Sequence, residues 1–536
     1  MIKRVLACAL PTAVMVASGL AMVPVPAAAV AGVPVFGLTH DLGNAGGEPS
    51  IQDDGQGRLY ITTPQGLGST SSGVLLTRSV DGGANFLPNQ VIGGVFGGGD
   101  SDIITDVTTQ DTYYADLGAV FSTVGHSSDH GATFPTQTQT APDDDREWLT
   151  TIGPTLFLTY HDLAQNIPLI FISTDHGATF SPGGTGGQII GPGDVGFADA
   201  KCNTLVSKPV ADANGNLYIL TNTSTLAENV AAGCATTSSL DRLYLSVSHD
   251  GGHTFTTYLV NDISAATTGK ATSGSWGHVF NQLGIDAAGN LYVAASGTLD
   301  GSLPLQSYLL VSKDGGKTWS QPIATQGMPN NGQLFPAIAV GQAGQVAVGY
   351  YQGLKADNLA AANNFQFFVD QSFNATDPSP TFTHTQLPDL GAATTVHPDG
   401  ICTSGILCLP GQTSNRNLAD FESMTVDPAG NLEVIIPADC DTCQGNTKNW
   451  FYKQTAGPLM PPGPTNGNGT GNQTWVAGAR TQPPPQPTPS PSAAPLPNTS
   501  AARPAERQLP AMGAAIFLAA LLIAAVWLAP RRRKTD

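Results

Sequence analysis

The chain is short of charge. Only 12% of its 536 residues are Asp, Glu, Lys or Arg, and basic residues are the rarer kind, 22 against 40 acidic ones. The resulting formal charge of −18 argues against nucleic acid or an anionic lipid surface as a partner, because both require a basic face. No long segment repeats apolar residues with a 3.6-residue period, so a helical protein is excluded. Serine-hydrolase and phosphate-loop motifs are missing. Cysteine is scarce as well. Cys8 lies in an N-terminal apolar run, which leaves Cys202, Cys234, Cys402, Cys408, Cys440 and Cys443. An even number in an exported chain points to disulfides, and local pairing (202–234, 402–408, 440–443) is the simplest connectivity. Zinc held through Cys440 and Cys443 would need a second pair at finger spacing, which is lacking.

Glycine, by contrast, is abundant, at 62 residues. Short alternating apolar runs separated by Gly, Asp and Asn turns point to an all-β protein. One eight-residue pattern, Ser-x-Asp-x-Gly-x-Thr-aromatic, occurs five times: Ser79–Phe86, Ser127–Phe134, Ser173–Phe180, Ser248–Phe255 and Ser312–Trp319, with Asn85 replacing Thr once. Self-similarity at this spacing marks a solenoid, propeller or array. Each copy also predicts a tight turn. Asp81, Asp129, Asp175, Asp250 and Asp314 can accept hydrogen bonds from nearby backbone, and Gly supplies a positive φ. A second repeat, seen at Asp53–Tyr60, Asp212–Tyr218, Asp286–Tyr292 and Asp427–Leu432, predicts the hairpins between these turns.

The eight-residue pattern resembles the Asp box (BNR repeat) of the sialidase-like β-propellers. Asp145-Arg-Glu-Trp-Leu149 with Leu156–His161, and Gly400-Ile-Cys402 through Asn415-Arg-Asn-Leu-Ala-Asp-Phe421, resemble an exported bacterial branch of undefined activity. The resemblance covers most of residues 40–455. It implies blades whose first strand lines a central axis and whose Asp boxes join the outer strands, with the Asp-box carboxylates serving turns. Blade starts then fall near Glu48, Asp102, Glu147, Lys208, Gln282, Pro336 and Glu422, giving seven blades, or six if one weak unit is an insertion. The sixth unit carries only a remnant box around Asp377. The seventh shows three strands, and Val33–Thr39 is a spare strand that could complete it and close the ring.

The ends read as targeting segments. Lys3 and Arg4, the apolar run Val5–Val25 and the small residues at 27–31 form a secretory signal over residues 1–31. The propeller is expected over 32–457, followed by a Pro/Gly/Ser/Thr-rich stalk over 458–510. Residues 511–529 are uncharged and long enough to span roughly 30 Å of hydrocarbon, and the basic tail 530–536 would face the cytoplasm. Leu496–Ser500 and Leu509–Gly513 resemble a cell-wall sorting signal but depart from it at the bond a sortase would cut, so a retained membrane helix is expected. The picture is an exported, plasma-membrane-anchored protein with its propeller outside the cell.

For function, the resemblance implies a sialidase set: a Tyr nucleophile with a Glu partner, an Asp acid/base, and three arginines around the substrate carboxylate. Tyr350, Tyr351 and Glu422 could supply the first part. However, Gly47-Glu48-Pro49-Ser50-Ile51 stands where the family's first arginine motif belongs, and of Arg58, Arg78, Arg146, Arg242 and Arg416 only Arg146 and Arg416 lie near inner-strand starts. What those starts do carry is charge: Glu48, Asp102, Asp145, Arg146, Glu147, Asp420 and Glu422. The binding residues expected at one mouth of the channel are therefore Glu48, Asp102, Arg146, Glu147, Arg416, Asp420 and Glu422. Catalysis, if present, would draw on Glu422, Asp102, Glu147 and Tyr350. No cofactor is required, although Glu48, Asp102 and Asp420 are oxygen donors suited to Ca²⁺. A Cys402–Cys408 disulfide would brace the loop leading to Arg416 and Asp420. Two readings stay open: a surface module binding glycan or protein, and a glycoside hydrolase of exo-sialidase type.

The placement is testable on intact cells. Protease shaving should release the propeller by cutting within residues 458–510, and recovery of full-length protein only from the cytosol would rule the placement out.

Overall fold

The computed structural model describes residues 32–462, apart from short segments at 44–45, 67–72, 95–96, 120, 232, 234–239, 278–279, 392, 394, 404–407, 409–413 and 441–446. The expected signal, nearly all of the stalk, the membrane segment and the basic tail lie outside the described residues. Everything described belongs to one compact unit, Met1–Val476; the second, Ala477–Asp536, is outside them. Among the described residues no helix is long and apolar enough to cross a membrane.

Seven antiparallel sheets form a propeller. The blades open with first strands at Ser50–Asp53, Ser101–Thr105, Asp144–Ile152, Leu205–Val206 with Val210–Ala211, Gln282–Ile285, Gln333–Val340 and Ser423–Val426. Each first strand contacts its neighbours around the ring, and the seventh meets the first. Helix is confined among the described residues to Leu226–Ala231, Ala265–Thr268 and a 3-10 turn at Asp199–Lys201. The seventh blade is completed from the other end of the chain. Val35–Asp41 pairs with Lys448–Ala456 in antiparallel register, Thr39 opposite Tyr452 and Asp41 opposite Trp450. This pairing covers the edge that Lys448–Ala456 would otherwise leave, and Val35–Asp41 becomes the outer strand of the blade.

The repeat sequence explains the outer turns. In the first box, the Ser79 hydroxyl donates to Asp81 Oδ1 at 2.8 Å, and the Gly83 and Asn85 N–H groups donate to Ser79 Oγ and Asp81 Oδ1 at 2.9 and 2.8 Å. The other four copies repeat this set. These carboxylates are spent on turn donors. The boxes also join blades: a Cβ on Gly83 would lie 2.5 Å from the ring of Phe451 in the seventh blade, and one on Gly316 2.1 Å from Leu245 in the fourth. Glycine is needed there for close approach as well as for its positive φ. The remnant in the sixth blade turns out to centre on Asn374 rather than Asp377. Asn374 Oδ1 accepts from the Thr381 N–H at 2.9 Å, and Asp377 is only a side contact of its amide.

The axis is tied by a buried ion pair. Asp102, fully buried in the second blade, accepts from Lys208 Nζ at 2.7 Å, from the Ser50 hydroxyl at 2.6 Å and from the Leu149 N–H at 2.8 Å. These partners come from the fourth, first and third blades. The break in the fourth blade's inner strand, at Ser207 and Lys208, makes this possible: Lys208 turns towards the second blade, and the Ser207 hydroxyl donates to Asn281 O at the start of the fifth. Burial pulls the Lys208 ammonium below its usual range, and Asp102 pushes it back up. Lys208→Met should therefore cost about 3–5 kcal/mol, because Asp102 would be left buried and unpaired. A urea midpoint that recovers in the Asp102→Asn/Lys208→Met double variant would confirm the cause, and an unchanged midpoint in the single variant would refute it.

Candidate functional site at the channel mouth

Residues at and just before the starts of the inner strands set two tiers of carboxyls at one end of the axis. The outer tier holds Glu48, Asp100, Asp145 and Asp420; the inner tier holds Asp102, Glu147 and Glu422, which are fully buried. Local backbone sets these positions. Glu48, Arg146 and Ala419 adopt left-handed conformations (φ 52°, 58° and 60°), and Arg146 occupies a bulge where the pairing of the third blade's first two strands slips between Asp145 and Trp148. Non-glycine residues at positive φ carry strain of roughly 1–3 kcal/mol each, and such strain gathers where geometry serves a site.

Arg416 is the hub of the outer tier. Its guanidinium donates to both Asp420 oxygens, with Nε–Oδ1 at 3.2 Å, and reaches Glu48 Oε1 at 3.4 Å. Arg146 is fully buried. It donates to Ser101 O at 2.9 Å and lies between two rings, with Cζ 3.6 Å from the centre of Trp148 and 4.1 Å from that of Phe421. Below the carboxyls is a small axial cavity of about 20 Å³, lined by Ser50, Trp148, Lys208, Gln282, Phe421 and Glu422 among others.

Of the residues expected from sequence, Glu48, Arg416 and Asp420 are brought into direct contact. Arg146 and Glu147 stand beside them, and Glu422 faces the cavity. Asp102 lies a tier deeper, its oxygens taken up by Lys208, Ser50 and Leu149. Among the described residues, Glu48, Asp102 and Asp420 do not bring ligand atoms together as a cation site would require. Tyr350 is directed away from the axis, donating to Asp370 Oδ2 at 2.6 Å, whereas Tyr351 donates to Pro437 O and lies near Glu422. Arg58, Arg78 and Arg242 bind Asp54, the His130 carbonyl and the Asp199/Asp262 pair, so they stand apart from Arg146 and Arg416. The Cys402–Cys408 disulfide is present. Cys202 and Cys440 are also disulfide-bonded, while Cys234 and Cys443 lie outside the described residues. Sequence reading passed over Asp100 and Asp144. Asp100 hides behind Gly97-Gly98-Gly99, but its offset of two from Asp102 was the available signal.

The BNR/Asp-box repeat family model matches residues 310–321, the fifth box. No curated protein matches the chain. Several solved structures are similar to it. A protein of unknown function from Dyadobacter fermentans is 12% identical, over 76% of this chain and 94% of that one, with a TM-score of 0.41. The intramolecular trans-sialidase of Ruminococcus gnavus is 13% identical, over 77% and 94%, at 0.37. The NanB sialidase of Streptococcus pneumoniae is 12% identical, over 78% and 70%, at 0.39.

Crowding of acids governs the electrostatics. Burial, reinforced by Asp100 and Asp420, raises Glu48 well above the usual carboxylate range, and Arg416 only partly opposes this. Asp145, although exposed to solvent, is pushed up to about 6 by the density of protein around it and then by Asp100 and Asp420. Asp144 is pushed up to about 7, chiefly by burial, against a hydrogen bond from the Ser122 hydroxyl. Burial likewise raises Glu147 and Glu422, whose oxygens have no partner among the described residues. A raised carboxyl favours folding while protonated, and its contribution is lost as pH climbs from about 4 through the folded value. His161, lowered to about 4 by burial, works in the opposite direction and withdraws stability as pH falls below about 6.5. Carboxyls raised to about 7, Asp144 and Glu433, take up protons in the folded state between pH 8 and 6.5, so acidification over that window should raise the melting midpoint. Asp144→Asn should flatten the rise; an equal rise in that variant would remove Asp144 from the account.

Proposed function

We propose that the mouth binds a neutral saccharide, and that the propeller displays it outside the cell from a membrane-anchored stalk. The observation that carries this reading is the tiered ring of carboxyls, whose outer arginine, Arg416, is already held by Asp420 and Glu48. Carboxylates accept hydrogen bonds from sugar hydroxyls, and carboxyls kept protonated near neutral pH can also donate. The same ring repels a sugar that carries a carboxylate, and Arg146, enclosed between Trp148 and Phe421, is not displayed to meet one. A sialic acid ligand is therefore disfavoured. Export and anchoring are supported by the apolar run after Lys3 and Arg4 and by the uncharged segment 511–529 before its basic tail.

One observation favours a second reading, glycoside hydrolysis. A carboxyl raised to about 7, such as Asp144, is suited to act as a general acid beside ionised neighbours.

Screening the purified protein against immobilised glycans separates the readings. Neutral oligosaccharides should be retained in preference to sialylated ones, and Asp145→Asn should weaken retention by about tenfold, the loss of one good hydrogen bond to a charged group. Retention of sialylated glycans alone would overturn the proposal. Turnover of a fluorogenic neutral glycoside that disappears in Asp144→Asn, or of a sialoside that disappears in Glu422→Gln, would replace binding with catalysis.

A further inference from the structure

A second cluster lies away from the mouth, at the seam between the second and third blades. Asp111 precedes the second blade's second strand, Thr112–Leu117, and His126 is the last residue but one of its third, Phe121–Ser127. His176 comes from the third blade's Asp box. His126 Nε2 is 2.8 Å from Asp111 Oδ1, and His176 Nδ1 is 3.6 Å from Asp111 Oδ2. One ligand atom from each of the three residues lies within 4.8 Å of the other two. The imidazoles stack, with centroids 5.0 Å apart and planes at 24°. Tyr113 backs them: its ring stacks on His126, and its hydroxyl is 3.1 Å from His176 Nδ1.

His176 holds an unusual place for such a residue. The position after the box aspartate is left-handed in every copy, and three of the five use glycine there: Gly82, Gly251 and Gly315, with φ of 68°, 71° and 74°. His130 and His176 accept the same conformation with a side chain, at 58° and 57°. The His176 side chain is about half exposed (47%), so burial of the ring does not offset that conformation. What it gains is the approach to a second imidazole and a carboxylate on the neighbouring blade.

We propose that Asp111, His126 and His176 bind a divalent transition-metal ion of the zinc class. Two imidazole nitrogens and one carboxylate oxygen are a donor set for zinc rather than for calcium, which takes six or more oxygens. Bonds of about 2.0–2.1 Å in a tetrahedron place neighbouring ligand atoms roughly 3.3 Å apart. The observed 2.8 and 3.6 Å, to the two oxygens of Asp111, bracket that spacing, and the stacked imidazoles must turn out of their near-parallel arrangement to bring both nitrogens onto one ion. The exposed side of His176 leaves the fourth position open to water. The ion clips two blades together at their outer edge.

Titration of untagged, chelator-treated protein with ZnCl₂ in a calorimeter should show one equivalent bound per chain, with a melting midpoint that climbs with zinc concentration. Co²⁺ in place of Zn²⁺ should give the visible absorption of a tetrahedral centre. His176→Gly is the decisive variant, because it installs the residue that three other boxes already carry there and so leaves the turn intact. It should weaken zinc binding by about tenfold or more and abolish the cobalt spectrum. His126→Gln should do the same. Absence of binding to wild-type protein at about 100 Kd of an ordinary micromolar site would overturn the proposal, as would unchanged binding in His176→Gly.

Discussion

A propeller closes around an axis where seven strand edges converge, and here a single carboxylate ties much of that convergence together. Asp102 receives a hydroxyl, an amide and an ammonium from three other blades. Its charge is tolerable in a dry interior only because all three arrive together. Four blades are thereby fixed relative to one another at the axis, and the carboxyls above them inherit that placement. The fourth blade gives up part of its inner strand for this, splitting it at Ser207 and Lys208 so that both side chains reach across to neighbours.

Above this tie the molecule gathers acidic groups instead of pairing each with a base. Glu48, Asp100, Asp145 and Asp420 share one outer arginine, and Glu147 and Glu422 have none of their own. An acidic surface that served solubility alone would disperse its charges into water. Here they are drawn to one end of the axis on strained backbone, a geometry that makes sense where a ligand supplies the missing hydrogen-bond donors. The Asp boxes show the contrast: their aspartates are equally regular in sequence, yet their oxygens are occupied by turn N–H groups and hydroxyls.

Much of the fold was legible because the features that define it are local and repeated. Box turns and hairpins place the blade starts close to the observed strands, Gln282 falling on one and Glu48 two residues ahead of another. The closing strand was expected at Val33–Thr39 and forms at Val35–Asp41. Features that depend on which face a side chain takes were harder to read. Tyr350 and Tyr351 sit on a strand buried on both faces, Val346–Gln352, so alternation gives no clue to which of them points towards the axis. Asp111, His126 and His176 come from two blades, and nothing in their spacing hints that they meet. The remnant sixth box was misplaced by three residues because its loop is longer and Asn stands in for Asp.

The seam that closes the ring has a kinetic consequence. Thr39 and Tyr452 are partners across more than four hundred residues, so the last blade cannot form until nearly the whole domain has been delivered. Loop closure over that length is slow, and until it happens Lys448–Ala456 presents an unpaired edge. Completion of the ring thus acts as a checkpoint on chain integrity, since a product truncated before residue 448 lacks the partner for its own first strand. It also makes the start of the folded chain consequential. With the closing strand beginning at Val35, a chain that started even a few residues later would lack the segment that locks the wheel.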